Sequence, residues 1–135
     1  MTTVGKLRQI ILDCEKDWTI TLNKWEHHTK EELEKRQYKL PNIVSVQIVD
    51  SSTIYNGLGG KIHQYILQES DEEFQMTMDE MLWFFCGERN DNDLIDIVLE
   101  VEQSKGHFDH IQLTLEHGDK GYSDKNMIIL LEEKE

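Results

Sequence analysis

Three observations predict an α+β fold for this chain, a single domain over residues 1–135 with about three helices packed on an antiparallel sheet of about five or six strands. Alternating and β-branched apolar runs recur along the sequence. An apolar stripe at helical spacing and three capping boxes interrupt them. No linker, repeat or low-complexity segment divides the 135 residues. A chain of this size buries roughly two-thirds of its unfolded surface, enough for one core without staples.

Thr3 caps a first helix in which Val4, Leu7, Ile11 and Cys14 fall on one stripe, and Cys14 reads as a small core residue. Trp18-Thr19-Ile20-Thr21-Leu22 alternates as a short strand. Thr29 and Glu32 form the first capping box, opening a short solvated helix with Glu31–Lys35 and Glu32–Arg36 pairs; Pro41 follows it. Ile43 to Val49 is a β-branched strand. Asp50–Thr53 and Asn56–Gly60 read as a turn region, and Ile62 to Leu67 as a second strand paired to the first across a long loop. Ser70–Glu73 and Thr77–Glu80 are two further capping boxes. One reading starts a helix near Asp71 and stacks Phe74, Met78, Met81, Leu82 and Phe85; the other makes Glu73–Thr77 a strand and starts the helix at Met78. Gly87 stops it in both. Ile95–Glu102 alternates as a half-buried strand, Gln103–Asp109 turns, Ile111–Leu115 alternates again, His117–Gly121 turns, and Met127–Leu131 is the last strand.

The motifs that would carry chemistry fail one by one. Gly57-Leu58-Gly59-Gly60-Lys61 lacks the first glycine and the hydroxyl of a phosphate loop, and a strand follows it where a helix is needed. Asp91, Asp93 and Glu102 match three positions of an EF-hand, but Asp96 stands where its turn demands glycine. His107, His110 and His117 have no firm third ligand, and His27-His28 reads as solvent-exposed, so no metal or cofactor is expected. Cys86 lies at a helix C-terminus, where the dipole disfavours a thiolate, and no serine sits in a nucleophile setting. The chain is therefore not expected to be an enzyme. No secretory segment opens it and no apolar run is long enough to span a membrane. The expectation is a cytoplasmic protein with reduced thiols, placed in the host cytoplasm if a phage encodes it.

Charge is the informative feature. The net charge is −13, but residues 1–67 carry +1 and residues 68–135 carry −14. Between Glu69 and Glu102 there are 12 acids against one base, Arg89. Aromatic and aliphatic residues are threaded through this stretch, so it is a folded acidic surface and not a disordered tail. Crowded carboxylates repel one another, and a half-and-half split is what a binding face for a basic partner produces. Direct contact with nucleic acid or an anionic membrane is not expected, on the same ground. On a strand, Asp96, Glu100 and Glu102 form a row whose alternate-residue repeat of about 6.6 Å is of the order of a phosphate spacing.

The expected function is a small acidic inhibitor that blocks a basic nucleic-acid-acting protein, such as a nuclease or CRISPR effector, by nucleic-acid mimicry: a phage anti-defence or anti-CRISPR-like protein. An immunity protein against a nuclease toxin shares this chemistry. A small-molecule or ion-binding module around Tyr55–Lys61, with His63 or Tyr65 near its mouth, is a third reading. Expected contacts are Glu72, Asp79, Glu88, Asp91, Asp93, Asp96, Glu100 and Glu102, with Phe74 or Trp83 as the apolar anchor. Lys24, Lys35, Arg36, Lys39 and Lys61 could instead meet the acidic half of another copy, which leaves room for a homo-oligomer.

Overall fold

Strands, not helices, carry this chain in the computed structural model, which describes residues 2–26, 42–55, 57, 60–115, 120–123 and 125–133. The described strands are β1 (Thr2–Thr3), β2 (Thr19–Glu26), β3 (Asn42–Tyr55), β4 (Lys61–Glu69), β5 (Phe74–Thr77), β6 (Leu94–Ser104), β7 (His107–Thr114), β8 (Lys120–Ser123) and β9 (Asn126–Glu133). Two short helices accompany them. α1 is Val4–Leu12; α2 is one α turn, Met78–Met81, running into a π turn, Leu82–Cys86. The α+β expectation is thus corrected: the protein is mostly β, with a mixed sheet larger than the five or six antiparallel strands expected, and only two short helices. The helix expected after Thr29 lies outside the described residues.

Two errors of length explain much of the difference. Asp50–Thr53, expected to turn, continues as strand to Tyr55, because β4 offers a partner for every residue through Tyr55↔Lys61, with a bulge between Ile48 and Asp50. Gln103–Asp109 is likewise almost all strand, folded back over Lys105 and Gly106 into β7. Serine, threonine and aspartate favour turns in isolation, and pairing across a ladder overrides that preference.

The sheet is also not purely antiparallel. β4 runs parallel to β6, joined by the crossover of residues 70–93, and β2 runs parallel to β9. With the antiparallel pairs β2–β3, β3–β4, β6–β7 and β7–β9, these ladders close a six-stranded ring. β5 extends the line of β3 alongside β2, and β8 pairs with the first half of β9. Among the described residues, no strand pairs with the outer edge of residues 47–55, and Val49 to Tyr55 are all exposed. There the Asp50 carboxylate accepts the Ser51 backbone N–H at 2.8 Å.

Period-two alternation fills the ring. Ile20, Leu22, Val46, Tyr65, Leu67, Ile95, Ile97, Leu99, Leu113, Met127, Ile129 and Leu131 are buried, and the strand registers place them on one face of the sheet. Lys24 shares that inward face. Its side chain is 7% exposed, and its ammonium lies 3.2 Å from Glu133 and 3.8 Å from Glu69. Long aliphatic stems tolerate burial when the charged head finds acceptors.

The two helices pack on the same interior, with Val4, Leu7, Ile10 and Ile11 of α1 and Met81, Phe85 and Cys86 of α2 in one core cluster. The Tyr65 ring lies 4.8 Å from Phe85, and its hydroxyl donates to the Phe84 carbonyl at 3.1 Å while accepting from Arg89. Thr3 caps α1 as expected, accepting the Lys6 N–H at 3.1 Å. The first two donors of that helix reach further: Val4 N–H goes to the Asp93 carbonyl and Gly5 N–H to the Asp91 carbonyl. The approach is close: a Cβ on Gly5 would stand 3.1 Å from the Asp91 Cβ, so a larger residue would push Asp91 aside by a few tenths of an ångström. α2 settles the alternative left open by sequence: Phe74–Thr77 is strand, and the Thr77–Glu80 capping box starts the helix at Met78.

Both cysteines are free and buried. Burial pushes the Tyr65 phenol above its ordinary value, against the lowering effect of Arg89, and burial also raises the Cys86 and Cys14 thiols. These groups ionise more readily in the unfolded chain. Their contribution to stability is therefore whole below about pH 8 and falls as pH rises past the unfolded thiol and phenol values, about 8.5 and 10. The urea midpoint should hold between pH 7 and 8 and drop by pH 10.5. Tyr65→Phe should lose a smaller fraction of its own stability over that interval; an equal loss would show that Tyr65 is not responsible.

Candidate protein-binding surface

The row read on β6 exists, but most of it is already engaged. Asp96, Val98, Glu100 and Glu102 share the outward face, flanked by β4 and β7. Register sets Gln64 opposite Asp96 on β4, and Gln112, opposite Val98 on β7, reaches it diagonally. Both amides donate to its carboxylate, Gln64 at 3.1 Å, and Asp96 is only 8% exposed. One step along, Gln68 donates to Glu100 at 2.8 Å and His110 lies 3.2 Å from its other oxygen. Glu100 is half-buried and Glu102 is exposed. These two share a shallow cleft of about 220 Å³ with Gln68, Glu69, Val101 and Phe108.

Asp91 and Asp93 form part of the α1 anchor. Asp91 is exposed, with its carboxylate paired to Arg8, and Asp93 is mostly withdrawn. Asp93 Oδ2 lies 2.9 Å from His63 Nε2, and His63 Nδ1 lies 3.2 Å from the Thr53 hydroxyl. His63 and Tyr65 are therefore both committed to partners inside the protein, and residues 56, 58 and 59 of the loop expected beside them lie outside the described residues. Lys61 rests its ammonium 5.7 Å from the Tyr55 ring. Lys35, Arg36 and Lys39 lie outside the described residues.

Elsewhere the acidic stretch is open. Asp71, Glu72, Glu73, Asp79, Glu80 and Glu88 are all exposed, on the turn before β5, on the first turn of α2 and just after its end. Trp83 shares clefts with Asp79, Glu80 and Glu88 and is 79% exposed. Its position follows from α2. Six consecutive apolar residues, Met81 to Cys86, cannot all face one way on a helix. Met81, Phe85 and Cys86 turn inward, Leu82 and Phe84 are half-buried, and Trp83 is left outside. The π turn ends with the Gly87 N–H on the Leu82 carbonyl at 2.7 Å and Gly87 at φ +41°. π turns often mark functional positions. Phe74, the other expected anchor, is half-buried and packs on Phe84, with ring centroids 6.4 Å apart.

Trp83 is the shared wall of two clefts. One, about 350 Å³, is lined by Met76, Asp79, Glu80 and Phe84; the other, about 410 Å³, by Arg8, Leu12, Leu82, Cys86, Gly87 and Glu88. Of the eight carboxylates expected to contact a partner, Glu72, Asp79, Glu88 and Glu102 are exposed and form no ion pair among the described residues, while Asp91, Asp93, Asp96 and Glu100 have internal partners. Among the described residues, no group of three or more potential metal ligands is assembled. No described helix is long and apolar enough to cross a membrane.

The chain matches no known family model, no curated protein and no solved structure.

The two acidic regions should respond differently to charge reversal. Asp96→Lys loses two amide donors and buries an ammonium, at a cost of about 2–4 kcal/mol in chemical denaturation. Glu88→Lys, on the open surface, should stay within about 0.5 kcal/mol of the parent protein.

Proposed function

We propose that this protein is a small acidic inhibitor that binds and blocks a basic nucleic-acid-acting protein, in the manner of phage anti-defence proteins directed at nucleases or CRISPR effectors. The observation that carries this reading is the run of exposed carboxylates from Asp71 to Glu88, of which Asp79, Glu80 and Glu88 line clefts shared with a tryptophan left in solvent. Isolated exposed carboxylates are ordinary, and so are scattered exposed apolar side chains. A large aromatic held open among unneutralised acids is the composition of a hot spot with a charged rim. The two arginines nearest this surface do not cancel it: Arg8 is paired to Asp91, and Arg89 is turned onto Tyr65 and the Phe85 carbonyl.

The contact set narrows accordingly. Glu72, Asp79 and Glu88 with Trp83 form the main surface, and Glu102 with the accessible part of Glu100 forms a second acidic point on β6. Phosphate mimicry then means that separate carboxylates occupy phosphate positions in the partner's groove, without a continuous row. Electrostatic steering speeds encounter and makes retention fall with salt. An immunity protein bound to a nuclease toxin is the alternative, told apart by whether nucleic acid competes.

Affinity capture from bacterial lysate at low and moderately high salt should recover a nucleic-acid enzyme whose retention falls with salt and with added DNA. The triple variant Glu72→Lys, Asp79→Lys, Glu88→Lys should keep its fold and bind the captured enzyme at least about tenfold more weakly. Undiminished binding by that variant would remove the surface from consideration. Recovery of no nucleic-acid enzyme would remove the function.

A further inference from the structure

We propose that the Trp83 ridge docks a segment of the partner that presents an arginine and an aliphatic side chain on the same face, one on each side of the indole. The inference rests on the reading that this surface binds a basic protein, and it specifies what the bound segment must look like.

The two clefts that share Trp83 differ in chemistry. The cleft of Met76, Asp79, Glu80 and Phe84 has apolar walls, two carboxylates and no base in its lining. Glu80 uses Oε1 to accept from the Thr77 backbone and hydroxyl, and Asp79 is exposed. A cation fits there, and a guanidinium fits better than an ammonium. Its plane stacks on an aromatic face while its forked donors reach a carboxylate, and an ammonium on a flexible stem does not combine the two.

The other cleft is different. Leu12 is 53% exposed at its rim, Leu82 is half-buried in its wall, and its two charged residues, Arg8 and Glu88, are of opposite sign, with Arg8 already paired to Asp91. It has no surplus of carboxylates to hold a second cation, whereas an aliphatic side chain would cover Leu12 and Leu82. The two clefts therefore select unlike neighbours. Alternate residues of an extended segment project to one face about 6.6 Å apart. Two contacts of roughly 3.5–4 Å, one on each face of a flat ring, span about the same distance. An arginine and a leucine separated by one residue can thus straddle Trp83.

The test is an NMR titration of the full chain with a blocked pentapeptide of sequence Ser-Arg-Ser-Leu-Ser. Two controls replace its arginine by lysine or its leucine by serine. The expected result is movement of the Trp83 indole N–H signal, with each control at least about threefold weaker and binding lost in Trp83→Ala. Equal affinity for the lysine peptide, binding that survives Trp83→Ala, or no binding of any peptide would each overturn the proposal. Trp83 is exposed, so the amide spectrum of that variant should otherwise be unchanged. Failures of the two readings are separable. If Trp83→Ala leaves enzyme capture undiminished, the ridge is not the docking point although the inhibitor reading stands. If the peptides behave as expected but the parent protein captures no nucleic-acid enzyme, the ridge stands and the inhibitor reading falls.

Discussion

The ring closes where β2 and β9 lie side by side, and the buried side chains of both strands meet the core along that seam. Six residue pairs run from Thr19↔Asn126 to Lys24↔Leu131. Asn126 fastens its start: one side-chain amide donates to the Thr21 hydroxyl at 2.8 Å and to the Thr19 hydroxyl and carbonyl at 2.8 and 3.3 Å. Without the seam β2 would keep only β3 and β5, and Ile20, Leu22, Met127 and Ile129 would lose the face they fill together. The contacts that hold it are distant in sequence, which makes slow folding the natural expectation for this topology.

Closure also sorts the charges. Strand residues facing inward must be apolar or neutralised, so Lys24 meets Glu69 and Glu133 at one end of the ring. Outward residues on a central strand are crowded by their neighbours, so Asp96 disappears under two glutamines although it points away from the core. Where the chain leaves the ring, along the crossover from β4 to β6, the carboxylates of Asp71, Glu72, Glu73, Asp79, Glu80 and Glu88 reach solvent. The crossover is long because it links parallel strands, and parallel pairing requires such a connection. The topology that the sequence reading missed is what creates the open acidic surface.

Much of the local structure was legible in the residues. The α1 stripe, the β3 and β6 alternations, the Thr77 box and the Gly87 stop each depend on neighbours a few positions away. What was not legible depends on partners far along the chain. Nothing near Asp50–Thr53 announces that β4 will pair with it, and nothing in Ile95–Glu102 says that its first partner is parallel. The buried pairing of His63 with Asp93 joins residues 30 apart and leaves no spacing signal. Nor does the burial of Lys24, whose alternation with Ile20 and Leu22 was the one available hint. At the candidate surface, concentrated charge was visible from composition, but separating open from engaged carboxylates required the register of β4 and β7. Trp83 and Phe74 were equal candidates by type; the π turn distinguishes them.

The flank of residues 47–55, on which no described strand pairs, bears on how copies of this protein treat one another. An open strand edge invites another chain to add to it, the first step toward aggregation. Here the bulge before Asp50 breaks the regular ladder, and the Asp50 carboxylate occupies the Ser51 N–H that an incoming strand would seek. The net charge of −13 adds mutual repulsion as copies approach. The same excess of negative charge that would draw in a basic partner thus also discourages self-association, so crowding at high salt removes one of the edge's two protections and leaves the other in place.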